Sequence, residues 1–278
     1  MKHYKEHDAI VIKDAYSKDW KQSNLLMSDI HFDSKKCNRI LLKKHLEEAK
    51  GKNANIFMFG DIFDCMGGKY DKRTTKADIR QEYQTQTYFQ DIVKDAAKFF
   101  LPYADYIVLI SDGNHETSIK QRHEIDLLDD LAFRLDRTGK QVLRGKYNGF
   151  INFKFELPKT GATRRKIMYY THGGGGAAPV TRGAIKSNRR QDMIIADYYV
   201  GGHIHMESEI PRPQASITSK NVLKIKDCYH WGLGCYKDEF GGGGWADHKE
   251  FAPASIGGRW LEHSYYGDEI ITKSYLAK

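Results

Sequence analysis

Seven residues of this chain are types that hold divalent cations through oxygen or imidazole nitrogen. They fall in five short clusters: Asp29 with His31, Asp61, Asn114, His172, and His203 with His205. Taken singly, each cluster has an ordinary reading. Asp29 can cap or bend the chain, Gly60-Asp61 can close a strand, and Gly113-Asn114 suits a turn that tolerates left-handed backbone. His203 and His205 form the stronger pair, because residues i and i+2 of a strand point to one face. As a set, the donors exceed what one ion needs. Two divalent ions roughly 3.5–4 Å apart, sharing one carboxylate and a bridging hydroxide, would use all of them.

Such a set works only if the chain brings it together. Five apolar runs each lead into one of the clusters: Asn24–Met27, Asn55–Phe59, Tyr106–Ile110, Ile167–Tyr170 and Asp197–Val200. They read as buried strands, and open α/β sheets bind ligands beyond the carboxyl ends of their strands. Helical spacing predicts helices over Lys36–Lys50 (Leu42, Leu46 and Ala49 on one face), Tyr88–Phe100 and Glu124–Leu135, with Pro102 as a stop after the second. Strands alternating with helices indicate an α/β fold. The Tyr/Phe-rich stretches Gln141–Leu157 and Val222–Tyr236 predict further, antiparallel strands. With no repeat, low-complexity tract or Pro-rich linker, a single domain over 1–278 is expected, with a motif core at 24–205 and a strand-rich, loop-bearing region at 206–278.

Composition sets the outer bounds. The chain has 278 residues, 40% of them hydrophobic, which excludes disorder and suffices for a large core. No apolar run reaches the roughly 18–20 residues of a membrane helix. Met1–Asp19 is too charged for a secretory signal. Cys37, Cys65, Cys228 and Cys235 are too scattered for a zinc ribbon and too few for a disulfide scaffold, so a reducing cytoplasmic setting is expected. A formal net charge of +8 favours anionic partners such as phosphate esters or nucleic acid and gives no reason to expect a membrane. Gly173–Gly176 is not a Walker loop, since no Gly-Lys-Ser/Thr follows at the required spacing. Neither a His-Glu-x-x-His zincin motif nor a Gly-x-Ser-x-Gly elbow is present.

The series Asp29-x-His31, Gly60-Asp61-x-x-Asp64, Gly113-Asn114-His115-Glu116, His172-Gly173 and Gly202-His203-x-His205 resembles the calcineurin-like metallophosphoesterase superfamily, with all five blocks in order. The resemblance implies a four-layer α/β/β/α sandwich of two mixed sheets with a dinuclear centre at the sheet edge. It assigns Asp29, His31 and His205 to one metal, Asn114, His172 and His203 to the other, and Asp61 to both. His115 is implied as the catalytic residue near the leaving-group oxygen, with Glu116 orienting its ring and Asp64 in a supporting position. Asp64 is followed by Cys65-Met66-Gly67 where protein phosphatases of the superfamily continue Arg-Gly, and Phe32 stands where they have Gly. The chain therefore looks more like the diesterase and nuclease branches, including bacterial and phage-encoded members.

The expected activity is two-metal hydrolysis of a phosphoester, first of all a phosphodiester in nucleic acid or nucleotides. A phosphomonoesterase on a small metabolite and a non-catalytic scaffold are the alternatives. Mn²⁺ is the first expectation for both ions, and the mixed donors also suit Fe, Zn²⁺ or Ni²⁺. Two basic segments, Lys69–Arg80 and Thr181–Arg190, flank the motifs and suit a phosphate backbone. Arg73, Arg122 and Arg182 are the candidate substrate contacts, and Tyr70, Tyr83 and Tyr88 are candidates to stack on bases. In the tail, Trp231, Tyr236, Phe240 and Trp245 are read as packing around the loop Gly241–Gly244. His230, His248 and His263 match no block and are read as surface or core.

Overall fold

The apolar runs become the inner strands of two sheets. The computed structural model describes residues 1–67, 77–136, 141–158, 160–176, 184–238, 256–267 and 269–278, apart from the side chains of Ser187 and Asn188. The first sheet is ordered Glu269–Leu276 (β15), Arg259–Tyr266 (β14), Lys21–Met27 (β3), Asn55–Phe59 (β4), Ile107–Ser111 (β5) and Leu143–Arg144 (β6). Strands β3 to β6 run parallel, and β14 is antiparallel to both of its neighbours. The second sheet is ordered Lys2–Glu6 (β1), Ala9–Ala15 (β2), Asn148–Glu156 (β7), Thr163–Thr171 (β8), Tyr198–Gly201 (β9), Tyr229–Gly232 (β13) and Ser208–Pro211 (β10). Gln214–Ile217 (β11) and Leu223–Lys226 (β12) form a separate hairpin.

Both faces of the first sheet are covered, so β4 and β5 are buried throughout and mostly apolar rather than alternating. One face packs Leu26, Phe57, Phe59, Leu109 and Leu261 against Ile12, Phe153, Met168, Tyr198 and Trp231 of the second sheet. The other packs Leu25, Met58, Ile107 and Ile110 against the helices Arg39–Gly51 (α1), Tyr88–Phe100 (α2), Asn114–His123 (α3) and Leu127–Leu135 (α4). Ala184–Met193 (α5) accompanies the second sheet. This is the expected mixed α/β sandwich, although among the described residues the helical layer on the second sheet is that one helix.

Helix starts are set by caps rather than by apolar spacing. Asn38 accepts from Leu41 N at 2.9 Å and Asp126 from Asp129 N at 3.0 Å, so α1 and α4 begin three residues later than their periodicity predicts. The stretches expected to add antiparallel strands do so only in part. Strand β7 is antiparallel to β8 but parallel to β2, β6 is parallel to β5, and β13 is antiparallel to β10 but parallel to β9. All four cysteines are buried free thiols. No helix among the described residues is long and apolar enough to cross a membrane.

Candidate dinuclear metal centre

The loops beyond β3, β4, β5, β8 and β9 meet at one edge where the two sheets face each other. Backbone bonds lace the first two together: Asp29 N donates to Gly60 O at 3.1 Å and His31 N to Asp61 O at 3.0 Å. The second sheet is tied in by His203 N, which donates to Asp29 Oδ2 at 2.9 Å, and by His172 Nδ1, 2.9 Å from Phe59 O. The approach is close enough to require glycine. A Cβ at Gly113 would lie 2.2 Å from Asp61 Oδ1, and one at Gly202 would lie 2.0 Å from Ser28 Oγ. Asp29, His31, Asp61, His203 and His205 have φ of 52°, 50°, 50°, 75° and 51°. Left-handed backbone costs a non-glycine residue about 1–3 kcal/mol, and its concentration here marks a site held in shape by its surroundings.

All seven donors converge. Ligand atoms of Asp29, His31 and His205 lie within 4.8 Å of one another, as do those of Asp61, His172 and His203. His172 Nε2 lies 3.0 Å from Asp61 Oδ2, 3.0 Å from Asn114 Oδ1 and 3.9 Å from Asp29 Oδ1, so the two groups adjoin. Asn114 Oδ1 is also 2.6 Å from His203 Nδ1. On the other side, His31 Nε2 is 3.1 Å from His205 Nε2, which is 3.3 Å from Asp29 Oδ1.

These contacts fit metal ions. The Nδ1 proton of His172 is committed to the Phe59 carbonyl, which leaves Nε2 a lone pair aimed at two acceptor oxygens. His31 Nδ1 faces Asp64 Oδ1 at 2.7 Å, which leaves its Nε2 a lone pair aimed at another imidazole. Only a proton or a cation between such acceptors reconciles them. Ligand bonds of about 2.0–2.2 Å place the donors of one ion about 3.0–3.4 Å apart, close to the separations found here.

The electrostatics agree. Burial opposes ionisation of Asp29, yet His172 and His205 outweigh it and hold its carboxyl at about 2. Burial likewise works against Asp61, and His115 and His172 overcome it, keeping that carboxyl well below the usual range. Burial disfavours a charged His172, but Asp61 and Asp29 raise it to about 10. The carboxylates therefore demand positive charge in the site. Burial lowers His31, and burial with the neighbouring His172 lowers His203, which keeps both imidazoles neutral, as ligands must be.

A supporting layer fixes these groups. His115 lies in the first turn of α3, and its backbone N donates to Asp61 Oδ1 at 3.0 Å. Its ring is oriented by the Asp64 carbonyl, 2.5 Å from Nδ1, and its Nε2 lies 3.7 Å from Asp61 Oδ2. Glu116 does not orient that ring, contrary to the sequence-based expectation. Its carboxylate accepts from Phe63 N at 2.9 Å and from Asp61 N and Gly113 N at 3.2 Å, joining the second and third motif loops through backbone. Burial and the neighbouring Asp61 push Glu116 up to about 7.

Sequence reasoning misses Asp33 and Lys237. Fully buried Asp33 accepts from Asp64 N at 2.5 Å, Cys65 N at 3.1 Å and the Tyr88 hydroxyl. Lys237 Nζ lies 3.2 Å from Asp64 Oδ1. Asp33 stands at Asp-x-His-x-Asp spacing, a usable signal, whereas nothing in the sequence marks Lys237.

The candidate substrate contacts stand apart from the converged set. Arg122 is exposed near the far end of α3, about 12 Å along the axis from Asn114. Arg73 and Arg182 lie outside the described residues, as do Lys69, Tyr70, Lys72, Lys76, Phe240, Gly241–Gly244, Trp245 and His248. Arg80 does not face the site, because it donates to the carbonyls of Ser34 and Cys37 at 3.1 and 3.0 Å. Tyr83 and Tyr88 are buried with their hydroxyls on Asp95 and Asp33, which removes them as base-stacking platforms. Trp231, Tyr236, His230 and His263 are core.

No family model and no curated protein matches the chain. Solved structures with a related arrangement include a metallophosphoesterase from Sphaerobacter thermophilus (11% identity, TM-score 0.40, covering 92% of this chain and 90% of that one). A predicted phosphoesterase from Streptococcus pneumoniae aligns at 12% identity and TM-score 0.34, over 93% and 99% of the two chains. Vacuolar Protein Sorting 29 from Cryptosporidium parvum aligns at 13% and 0.36, over 93% and 100%. Superpositions this loose carry nothing about activity. The chain's own sheets, motif order and ligand geometry define a metallophosphoesterase-like α/β fold with His/Asp clusters compatible with a dinuclear metal site.

Proposed function

We propose that the chain is a two-metal phosphoester hydrolase acting on phosphodiesters, with nucleic acid or nucleotides as its substrate class. The observation that supports this is the pair of buried, mutually facing acceptor sets, Asp29–His31–His205 and Asp61–Asn114–His172–His203, beside a histidine that holds no place in either. Divalent ions held there would neutralise a phosphate ester and lower the pKa of a water beside it. Asp61 is the residue we assign to both ions, from its place in the motif series. Glu116 and Asp33 hold the loops in register, and Asp64 orients His31 through its carboxylate and His115 through its carbonyl. With Nδ1 so anchored, His115 Nε2 turns toward the ligands, where as an imidazolium it donates its proton to the departing oxygen. The motif departures at Phe32 and Cys65 support the diester preference, and the net charge of +8 supports an acidic polymer as partner.

Mn²⁺ is the metal we assign first, since carboxylate, amide and imidazole donors all accept it. The test is a divalent-metal screen against bis- and mono-nitrophenyl phosphate, then single- and double-stranded DNA, RNA and cyclic nucleotides. Diester turnover in Mn²⁺ is expected. Exclusive monoesterase turnover reverses the substrate choice, and inactivity in every metal returns the fold to a scaffold.

A further inference from the structure

Just outside the ligand set lies a pocket lined by Gly173, Arg190, Gly201, Gly202, His230 and Trp231. Its floor is the end of β9 and β13. Two of its glycines flank proposed ligands directly, Gly173 after His172 and Gly202 before His203, and Gly201 stands one residue before Gly202. The Arg190 guanidinium rests on this floor. A Cβ at Gly201 would lie 2.8 Å from Arg190 Nη1. One at Gly173 would lie 3.8 Å from Arg190 Nη2 and 3.5 Å from His203 Cβ, so the guanidinium is one residue's width from the centre.

Two features show that this pocket lacks a counterpart. Arg190 is half-buried, and burial lowers its pKa, yet no carboxylate pairs with it among the described residues. A guanidinium partly withdrawn from water without a counter-charge favours an anion beside it. His230 is 2% exposed, and neither of its ring nitrogens has a hydrogen-bond partner among the described residues. It stacks flat on Tyr199, ring centroids 4.2 Å apart, which leaves its edge as its only route to a partner. Burial, with Arg190 and Arg212 nearby, pushes its pKa down to about 4, so the pocket's field is positive. Lys186 Nζ, committed to the carbonyls of Gly174, Gly175 and Gly176, braces the rim with a further cation.

We infer that this pocket binds a second phosphate of the substrate, the one next along the strand from the phosphate undergoing hydrolysis, through the Arg190 guanidinium and the His230 ring. The inference rests on the phosphodiesterase reading and names what that site selects: a polyanionic strand rather than an isolated diester. Arg190 suits the task because its planar fork matches two phosphate oxygens at once.

The first test needs no turnover. EDTA-treated full-length protein is titrated with inorganic phosphate and followed by tryptophan fluorescence, since Trp231 lines the pocket. Saturable binding is expected, weakened at least about tenfold in R190Q and only partly restored in R190K, which keeps the charge and loses the fork. Equal binding by wild type and R190Q, or none by wild type, overturns the inference whatever the catalytic result. The second test compares kcat/KM for a thymidine trinucleotide with that for the same molecule carrying a neutral methylphosphonate at the neighbouring linkage. Wild type should prefer the charged linkage about tenfold and R190Q should lose the preference, a coupling that a general folding defect does not produce. An undiminished preference in R190Q overturns the inference. A preference shown only for a 5′-phosphorylated dinucleotide keeps the second phosphate and identifies it as a terminal one.

Discussion

Replacing His115 with alanine separates catalysis from metal binding more cleanly than any other single change. The contact between residue 115 and Asp61 Oδ1 is made by backbone N at 3.0 Å, so it survives removal of the ring. Glu116, which joins the loops, touches backbone rather than the imidazole. What disappears is Nε2, 3.7 Å from Asp61 Oδ2, and with it the proton for the leaving oxygen. General-acid assistance is worth about 10²–10⁴ in rate, or about 3–5 kcal/mol of barrier. The loss should depend on the leaving group. A thymidine dinucleotide expels a basic alkoxide and should lose nearly the full factor, whereas nitrophenolate leaves with little help and bis-nitrophenyl phosphate should lose far less. The assay is kcat for both esters in wild type and H115A, alongside metal content. Equal losses on the two esters with both metals retained would refute the general-acid role, and loss of metal would make His115 structural.

Three further outcomes follow from the geometry. Gly202→Ala places a methyl 2.0 Å from Ser28 Oγ and 2.6 Å from Asp29 Oδ2, so the variant should fold with sharply reduced Mn²⁺ affinity, measured by equilibrium dialysis. Asp64→Asn weakens the partner that sets the His31 tautomer at 2.7 Å and should cost about 10–100-fold in metal affinity, with activity recovering at high Mn²⁺. His263 is fully buried, and burial depresses its pKa from 6.5 to about 3. The unfolded chain therefore takes up a proton that the folded chain resists. Stability is complete above pH 6.5 and falls with acidification toward pH 3, by a few kcal/mol at most from this residue. Urea midpoints at pH 7.5 and 5 should show the fall, and His263→Gln should lessen it, the remainder coming from His45 and His230, which burial also lowers to about 4.

The legible part of the fold was the part buried on both faces. β3, β4, β5 and β9 announce themselves as apolar runs because helices or the opposing sheet cover each side. Strands β1 and β15 lie at sheet edges and carry charges, Lys2, Lys5 and Glu6 in one and Glu269 and Lys273 in the other, so no continuous apolar run marks them. Helix α3 was hidden by its own chemistry. Its first turn is Asn114-His115-Glu116, and of its residues only Ile119 is a buried hydrophobe, so no apolar stripe marks it. The convergence of the seven donors could be read because few other arrangements need those residue types at strand ends. The layer behind them could not: Glu116 and Asp33 act on backbone amides, and which amides they meet is settled only when separate loops pack together. Arg190 stood out only as one charge in a basic run, and three glycines from two other strands and loops had to converge beneath it before it acquired a role.

The central claim is that this chain cages two cations at once, and metal stoichiometry tests it most directly. The protein is purified without chelator, reconstituted with Mn²⁺, desalted and analysed by inductively coupled plasma mass spectrometry beside an Asp61→Asn/His203→Ala variant. Two ions per wild-type chain, falling to one or fewer in the variant, is the predicted result. A wild-type chain that retains no ion, or only one at saturating Mn²⁺, contradicts it.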